Sequence, residues 1–403
     1  MKKALVLQLS RLGDILQSTL LLNSLKKENY KIFLLGDEKN SSIANEIPLI
    51  DQFIPFEIGG FLKKIKDKNL SELFNELLNF VESLNRENFD ILINLNHSLI
   101  NLYLSQLINA EIKKGFKIEN NSFIDFIYSN IRNGRESNFF NLVDLFNCFS
   151  NIKAKSKNLF INKSISNKNL NFLKKILKKE NNITLHLGAG HELRRWSVEK
   201  FAKLAHLILQ YFKNTTITLT GSKNEAKFGR EFIKFLPPEY KSDIINLIGK
   251  TDIPLLKAVL LKSSILISVD TGIMHLASAC GINLISMFYA SAFVHETGPY
   301  TEKALILSPN ETCYPCTEFY QPCNDFHCKD NICEQDLFEC VKFFFNNSDN
   351  DTLKNYFTEH KKRVNLYKPA FDKFGIYYEN IIGPDSSIKK IREKGFKLCL
   401  KRT

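Results

Sequence analysis

The chain has 403 residues, 44% hydrophobic and 24% charged, with a formal net charge of +12, as expected of a soluble globular protein long enough for two domains. No run approaches the roughly 18 uncharged apolar residues of a membrane span. The apolar run Ala4–Leu7 meets Gln8, Ser10 and Arg11 and is too short for the core of a signal peptide, so a cytoplasmic location is expected. The first segment alternates strand and helix: Ala4–Leu9 reads as a buried strand, Gly13–Lys27 as a helix and Lys31–Leu35 as the next strand. Leu70–Leu84 (helix), Asp90–Leu95 (strand) and Ser98–Ile108 (helix) continue the series. Residues 151–181 are rich in Lys, Asn and Ser, and an interdomain linker is expected there.

A second alternating series follows. Strands are expected at Ile183–Leu187, Thr215–Thr220, Ile244–Ile248, Ile265–Val269 and Asn283–Phe288, with helices at Ser197–Phe212, Lys223–Phe235, Asp252–Leu261 and Gly272–Cys280. Alternation of this kind predicts parallel sheets with right-handed crossovers. Two such halves make two facing Rossmann-like α/β domains, over residues 1–170 and 171–345, with a central cleft at the carboxyl ends of the strands as the ligand site. Residues 346–403 form a basic, aromatic extension, read either as helix packed back on the first domain or as an interfacial membrane element.

The charge is unevenly placed. Residues 1–180 carry 26 Lys and Arg against 19 Asp and Glu, residues 181–350 carry 16 against 18, and residues 351–403 carry 13 against 6. Basic outer parts around a near-neutral middle suit an anionic partner such as an acidic lipid surface or a phosphorylated glycan; a bias toward Lys, Asn, Ile and Phe in composition would produce the same excess. No nucleic-acid motif accompanies the charge, and nucleic acid is not expected as a partner. Six of the nine cysteines lie between Cys313 and Cys340, spaced Cys313-x2-Cys316-x6-Cys323-x4-Cys328-x4-Cys333-x6-Cys340. The spacing matches neither a zinc ribbon nor a ferredoxin run, so both a bound metal and a reduced, structural thiol-rich loop remain open.

Five strand ends carry residues suited to chemistry. Leu9-Ser10-Arg11-Leu12-Gly13-Asp14 puts a carboxylate at a helix start, either as a partner of the helix dipole or as a general base. Leu187-Gly188-Ala189-Gly190 runs into Arg194, Arg195, the single Trp196 and Ser197; guanidinium forks of this kind match phosphate oxygens. In Thr220-Gly221-Ser222-Lys223-Asn224-Glu225 the acid could hold ribose hydroxyls or simply occupy a first helical turn. In Leu247-Ile248-Gly249-Lys250-Thr251-Asp252, Thr251 or Asp252 caps a helix. Val269-Asp270-Thr271-Gly272 leads into an apolar helix and aims its N-terminus beyond the strand, which suits a phosphate.

In this order, these elements resemble glycosyltransferase family 9, the ADP-heptose:lipopolysaccharide heptosyltransferases. The resemblance covers roughly residues 1–345 and rests on Leu9–Asp14, on Arg194-Arg195-Trp196 before a helix, on Asp270-Thr271-Gly272-Ile273-Met274-His275-Leu276-Ala277, and on Glu296–Tyr300 followed by Cys313-Tyr314-Pro315-Cys316. It implies a GT-B fold and an inverting, metal-independent transfer, with a nucleotide-sugar donor, ADP-heptose, as substrate and no cofactor. Asp14 matches the family's general base. Arg194 falls where a phosphate-binding Lys is usual, with Arg195 beside it. Asp270, Thr271, Gly272 and His275 match the donor's sugar-diphosphate loop, Glu225 the ribose-binding acid and Thr251 a contact to the base. No residue is assigned to the acceptor, and no metal ligand is expected. Three features depart from the pattern: Arg for Lys at 194, Ser197 for the usual proline, and the tail beyond residue 345. The implied partners are the nucleotide sugar and an anionic glycolipid acceptor of the lipopolysaccharide core, reached by peripheral contact at the inner face of the cytoplasmic membrane. Two other readings fit the same residues: a transferase of another sugar or a sugar-nucleotide epimerase on the same fold, and a catalytically silent, membrane-associated glycan-binding subunit.

Overall fold

A computed structural model describes residues 1–67, 70–117, 140–152, 155–316, 323, 325–359 and 363–383. The chain forms two compact units, the first running from Met1 and including Leu142–Asn162, the second running from Lys163 and including Asn141.

The first unit is built on a five-stranded sheet in the order β3-β2-β1-β4-β5, formed by β1 (Lys2–Gln8), β2 (Tyr30–Asp37), β3 (Gln52–Phe56), β4 (Phe89–Asn94) and β5 (Ala110–Gly115). Every neighbouring pair is parallel. Central β1 shows no apolar–polar alternation: Ala4, Leu5, Val6 and Leu7 are all fully buried, as required when helices cover both faces of a parallel sheet. The edge strands β3 and β5 were not legible as apolar runs. β3 contains Pro55, and β5 carries Glu111, Lys113 and Lys114; both features are characteristic of edges, which need no continuous apolar face.

The helix expected over Gly13–Lys27 is two helices, Leu12–Gln17 and Thr19–Lys27. At the break the hydroxyls of Ser18 and Thr19 donate back to the carbonyls of Ile15 and Leu16, each at 2.7 Å. Such local bonds compete with the helical ladder and bend it. Within 151–181, where a linker is expected, the Asn167–Ile176 helix buries Leu173 against Leu247, Ala258 and Val259 of the second unit.

The second unit carries an eight-stranded sheet in the order β13-β12-β11-β10-β9-β6-β7-β8. Its strands are β6 (Asn181–His186), β7 (Thr215–Thr220), β8 (Ile244–Asn246), β9 (Ile265–Val269), β10 (Asn283–Met287), β11 (Ala304–Pro309), β12 (Val364–Asp372) and β13 (Gly375–Asn380). β6 lies between β7 and β9, so the winding direction reverses there, and the crevice beyond its carboxyl end is the expected ligand position in such a sheet.

The tail corrects an expectation. Where helix packed on the first unit or a membrane element was expected, residues 364–380 form an antiparallel hairpin on β11, in register Ile306↔Tyr367, within the second unit. The period-2 burial of Ile376 and Tyr378 is masked in the sequence by the basic and aromatic residues around it. Tyr378 is buried, and its hydroxyl accepts from Asn141 Nδ2 at 2.8 Å and donates to the Pro299 carbonyl at 3.3 Å. Lys361, Lys362 and residues 384–403 of the tail lie outside the described residues.

Tyr378→Phe removes that hydroxyl and should destabilise the second unit by about 1–2 kcal/mol. Urea unfolding followed through Trp196, the single tryptophan and a core residue of that unit, should show an earlier midpoint; an unchanged midpoint refutes the assignment.

Candidate functional site

In the second unit, the loops after β6, β9 and β10 meet at Arg194. Beyond β6 the chain passes through Gly188-Ala189-Gly190 into a 3₁₀ turn, Glu192–Arg194, whose N-cap His191 accepts from the Leu193 N–H at 3.2 Å. The turn delivers the Arg194 guanidinium to two anchors. Nη1 donates to Asp270 Oδ2 at 3.1 Å, and Nη2 donates to Ser291 Oγ at 2.7 Å. The side chains of Arg194 and Asp270 are only 15% and 10% exposed, so the pair is mostly withdrawn from solvent screening.

The structure does not bring Arg195 to the same place. Its guanidinium carbon lies 4.5 Å from the centroid of the Phe228 ring, a cation–π contact, and its buried Nε has no hydrogen-bond partner among the described residues. Trp196 is buried, with Nε1 donating to the Ile332 carbonyl at 3.2 Å. Ser197, the departure from the usual proline, caps the Val198–Tyr211 helix by accepting from the Lys200 N–H at 3.4 Å.

Asp270 ends β9, and Thr271 is the N-cap of the Gly272–Cys280 helix. Thr271 Oγ1 does not cap that helix and has no partner among the described residues. The Met274 N–H donates to the Thr271 carbonyl at 3.1 Å, which leaves the Gly272 and Ile273 N–H groups, at the positive end of the helix dipole, and the buried Thr271 hydroxyl next to the Arg194–Asp270 pair. One turn in, His275 is buried, and its Nδ1 is likewise unpartnered among the described residues. Burial pulls the imidazole down to about 4, so it is neutral at physiological pH.

The β7 and β8 loops are tied together by the Gly249 N–H, which donates to the Gly221 carbonyl at 2.9 Å. Glu225 Oε2 accepts from the Ser222 N–H at 2.6 Å and from its hydroxyl at 2.8 Å. Asp252, not Thr251, caps the Ile253–Leu261 helix, accepting from the Leu255 N–H at 2.8 Å. Thr251 is left half-buried beside it.

In the first unit, Asp14 is half-buried at the third position of the Leu12–Gln17 helix, where its Oδ2 accepts from the Arg11 N–H at 3.0 Å. At the same sheet end, Asn40 Nδ2 donates to the Ser10 carbonyl at 2.6 Å, Asn96 bonds to Ser10 Oγ, and Asn94, Ser98 and Asn101 extend the network. Sequence reasoning missed this set, although Asn94-Leu95-Asn96-His97-Ser98 directly after a strand is a polar signal. It also missed Ser291, which nothing in the local sequence marks.

No group of three or more His, Cys, Asp or Glu side chains among the described residues is arranged to hold a metal ion. Cys313, Cys316, Cys323 and Cys328 form no disulfide among the described residues. Burial, with the three other thiols adding to it, pushes Cys328 up to about 11, so it is protonated at neutral pH.

The model of glycosyltransferase family 9 (heptosyltransferase) matches residues 77–327. The lipopolysaccharide heptosyltransferase 1 of Campylobacter coli is 25% identical over 304 residues, 72% of this chain and 84% of that protein. Among solved structures, a family 9 glycosyl transferase from Veillonella parvula superposes with a TM-score of 0.69 at 19% identity, covering 86% of this chain and 98% of that one. The ADP-heptose lps heptosyltransferase II of E. coli gives 0.62 at 18%, covering 85% and 98%.

A pH test follows from His275. Its folded form stays neutral down to about 4, whereas an unfolded histidine takes up a proton near 6.5. Stability should therefore fall as the pH drops from 6.5 toward 4. His275→Gln should remove one proton from that uptake and flatten the slope by about 1.4 kcal/mol per pH unit. Urea titrations at pH 6.5 and 5 measure it, and identical slopes in the two proteins would show that His275 is not buried as a neutral ring.

Proposed function

The chain belongs to glycosyltransferase family 9, and from that membership we propose that it transfers heptose from ADP-heptose to a lipopolysaccharide core acceptor, with inversion at the anomeric carbon and no metal at the reacting centre. It is an enzyme, which sets aside the reading as a silent subunit.

The observation that carries the proposal is the guanidinium of Arg194 held between Asp270 and Ser291 at the start of the Gly272–Cys280 helix. In glycosyl transfer the bond from the anomeric carbon to the diphosphate breaks, and negative charge collects on the departing oxygen. A fixed cation, the unpartnered Thr271 hydroxyl and the N-terminus of a nine-residue helix are donors set in advance for that charge. Asp14, a carboxylate at a helix start, takes the proton of the acceptor hydroxyl as its oxygen forms the new bond. Glu225 and Thr251 take the nucleoside. The donor and the lipopolysaccharide acceptor are those for which the E. coli and Campylobacter coli relatives are named.

The same reading includes a cytoplasmic location with peripheral contact at an anionic membrane surface, where a lipid-anchored acceptor would lie. None of the helices among the described residues is long and apolar enough to cross a membrane. What supports contact is the uncharged Leu99–Leu107 helix, on which Leu99, Tyr103 and Leu107 follow at four-residue spacing and are 70%, 57% and 45% exposed. Lys113 lies beside them, donating to the Gln106 carbonyl at 2.9 Å. An exposed apolar stripe next to a cation suits a lipid interface.

Asp14→Asn should lower transfer from ADP-heptose at least about 100-fold while leaving ADP affinity within about twofold; a variant that turns over normally would remove Asp14 from the mechanism. Arg194→Ala should instead weaken ADP binding itself, by about tenfold or more for the loss of a charge-assisted pair. Calorimetry that finds the affinity intact would refute the role given to Arg194.

A further inference from the structure

Two glycines leave the space in which the Glu225 carboxylate lies. A Cβ built on Gly188 would come within 2.4 Å of Glu225 Oε2, 2.5 Å of Oε1 and 2.7 Å of Cδ. One built on Gly221 would stand 3.1 Å from Oε2. The first set of distances is below any contact that real side chains make. Gly188 is not among the residues with positive φ, so its backbone conformation does not call for glycine; the space taken by Glu225 does. The obstructing atoms are the end of a flexible side chain. A methyl at 188 would therefore move the carboxylate and leave the fold standing.

The carboxylate is held from one side only. Ser222 donates twice to Oε2, through its N–H and its hydroxyl, while Oε1 accepts no hydrogen bond among the described residues. Behind it, His186 is buried, with Nδ1 3.1 Å from Thr220 Oγ1. Burial pulls this imidazole down to about 4 despite the opposing pull of the nearby Glu225 charge, so the ring brings no cation to the carboxylate. Glu225 thus presents one committed oxygen and one open, charged acceptor at the carboxyl end of β7.

We propose that Gly188 is a positioning residue for the donor: it keeps Glu225 Oε1 turned to a hydroxyl of the nucleotide's ribose and so sets a preference for ribonucleoside over deoxyribonucleoside diphosphates. The inference rests on the nucleotide-sugar reading above and adds to it the residue that decides where the acid stands. A hydroxyl donating to a carboxylate makes a charge-assisted bond. A site built around such a bond rejects the ligand that lacks the hydroxyl, because the acceptor is then left unpaired.

The test uses the full chain and calorimetry with ADP, UDP and the 2′-deoxy and 3′-deoxy forms of ADP. The wild type should bind ADP about tenfold or more tightly than at least one deoxy form. Gly188→Ala should bind ADP about as weakly as the wild type binds that form, so that the ratio falls to about one. Its KM for the donor should rise with kcat at saturation largely kept, and its unfolding midpoint should stay within a couple of degrees of the wild type. Ser222→Ala, an exposed change, should lower the same ratio by about threefold through loss of one hydrogen bond, and it decides the matter if the alanine variant at 188 does not fold. Retention of the wild-type ratio in the variants, or a wild type that does not discriminate, overturns the inference and leaves the donor reading intact. A wild type that binds neither ADP nor UDP overturns both.

Discussion

The Arg194 guanidinium links three loops of the second unit. Its own 3₁₀ turn follows β6, Asp270 ends β9, and Ser291 lies in the loop after β10. These strands reach the same edge of the sheet only because β9 runs parallel to β6 and beside it, and β10 runs parallel to β9 on its other side. A cation held this way costs little further ordering when an anion arrives, which is the advantage of a preorganised site. Removing Asp270 would leave a largely buried positive charge with one anchor fewer, a change that costs more than the pair itself contributes.

The two buried histidines at these strand ends bring no charge in the physiological range. His275 and His186 are both buried and both held near 4, so neither ring carries charge where the enzyme would work. The cation at the site is the Arg194 guanidinium, and the helix start adds the positive end of a dipole that is a property of the backbone. Glu225, at the carboxyl end of β7, is held by Ser222 and by the absence of side chains at 188 and 221. Arg194 is thus placed by a carboxylate and a hydroxyl, and Glu225 by neutral neighbours alone.

The first unit is organised on a different principle. Its sheet end carries amides and hydroxyls, Ser10, Asn40, Asn94, Asn96 and Asn101, bonded to one another and to the backbone. Asp14 is a carboxylate within this polar set and closes its own helix start at the same time. The C-terminal hairpin belongs to the second unit, where Tyr378 is held by Asn141 and Pro299. Residues 364–380 of the tail are therefore part of a sheet, with Lys368 half-buried on its strand.

Short-range information determined much of this protein. Apolar runs of strand length, the helices between them and the residues at each strand end lie within ten or so positions of one another, so the alternating α/β order and the five loop motifs were legible, and with them the family. Edge strands β3 and β5 were not, because edges need no apolar run. What only the tertiary structure decided is which neighbours in the chain act together. Arg194 and Arg195 are adjacent and look equivalent, yet one reaches Asp270 and Ser291, 76 and 97 positions away, while the other packs on Phe228. The reason is local geometry: Arg194 closes a 3₁₀ turn and Arg195 is extended, so their side chains leave the backbone in different directions. Gly188 and Glu225 are likewise 37 residues apart in the sequence and become one feature only when β6 and β7 pair in parallel and bring their loops to the same edge.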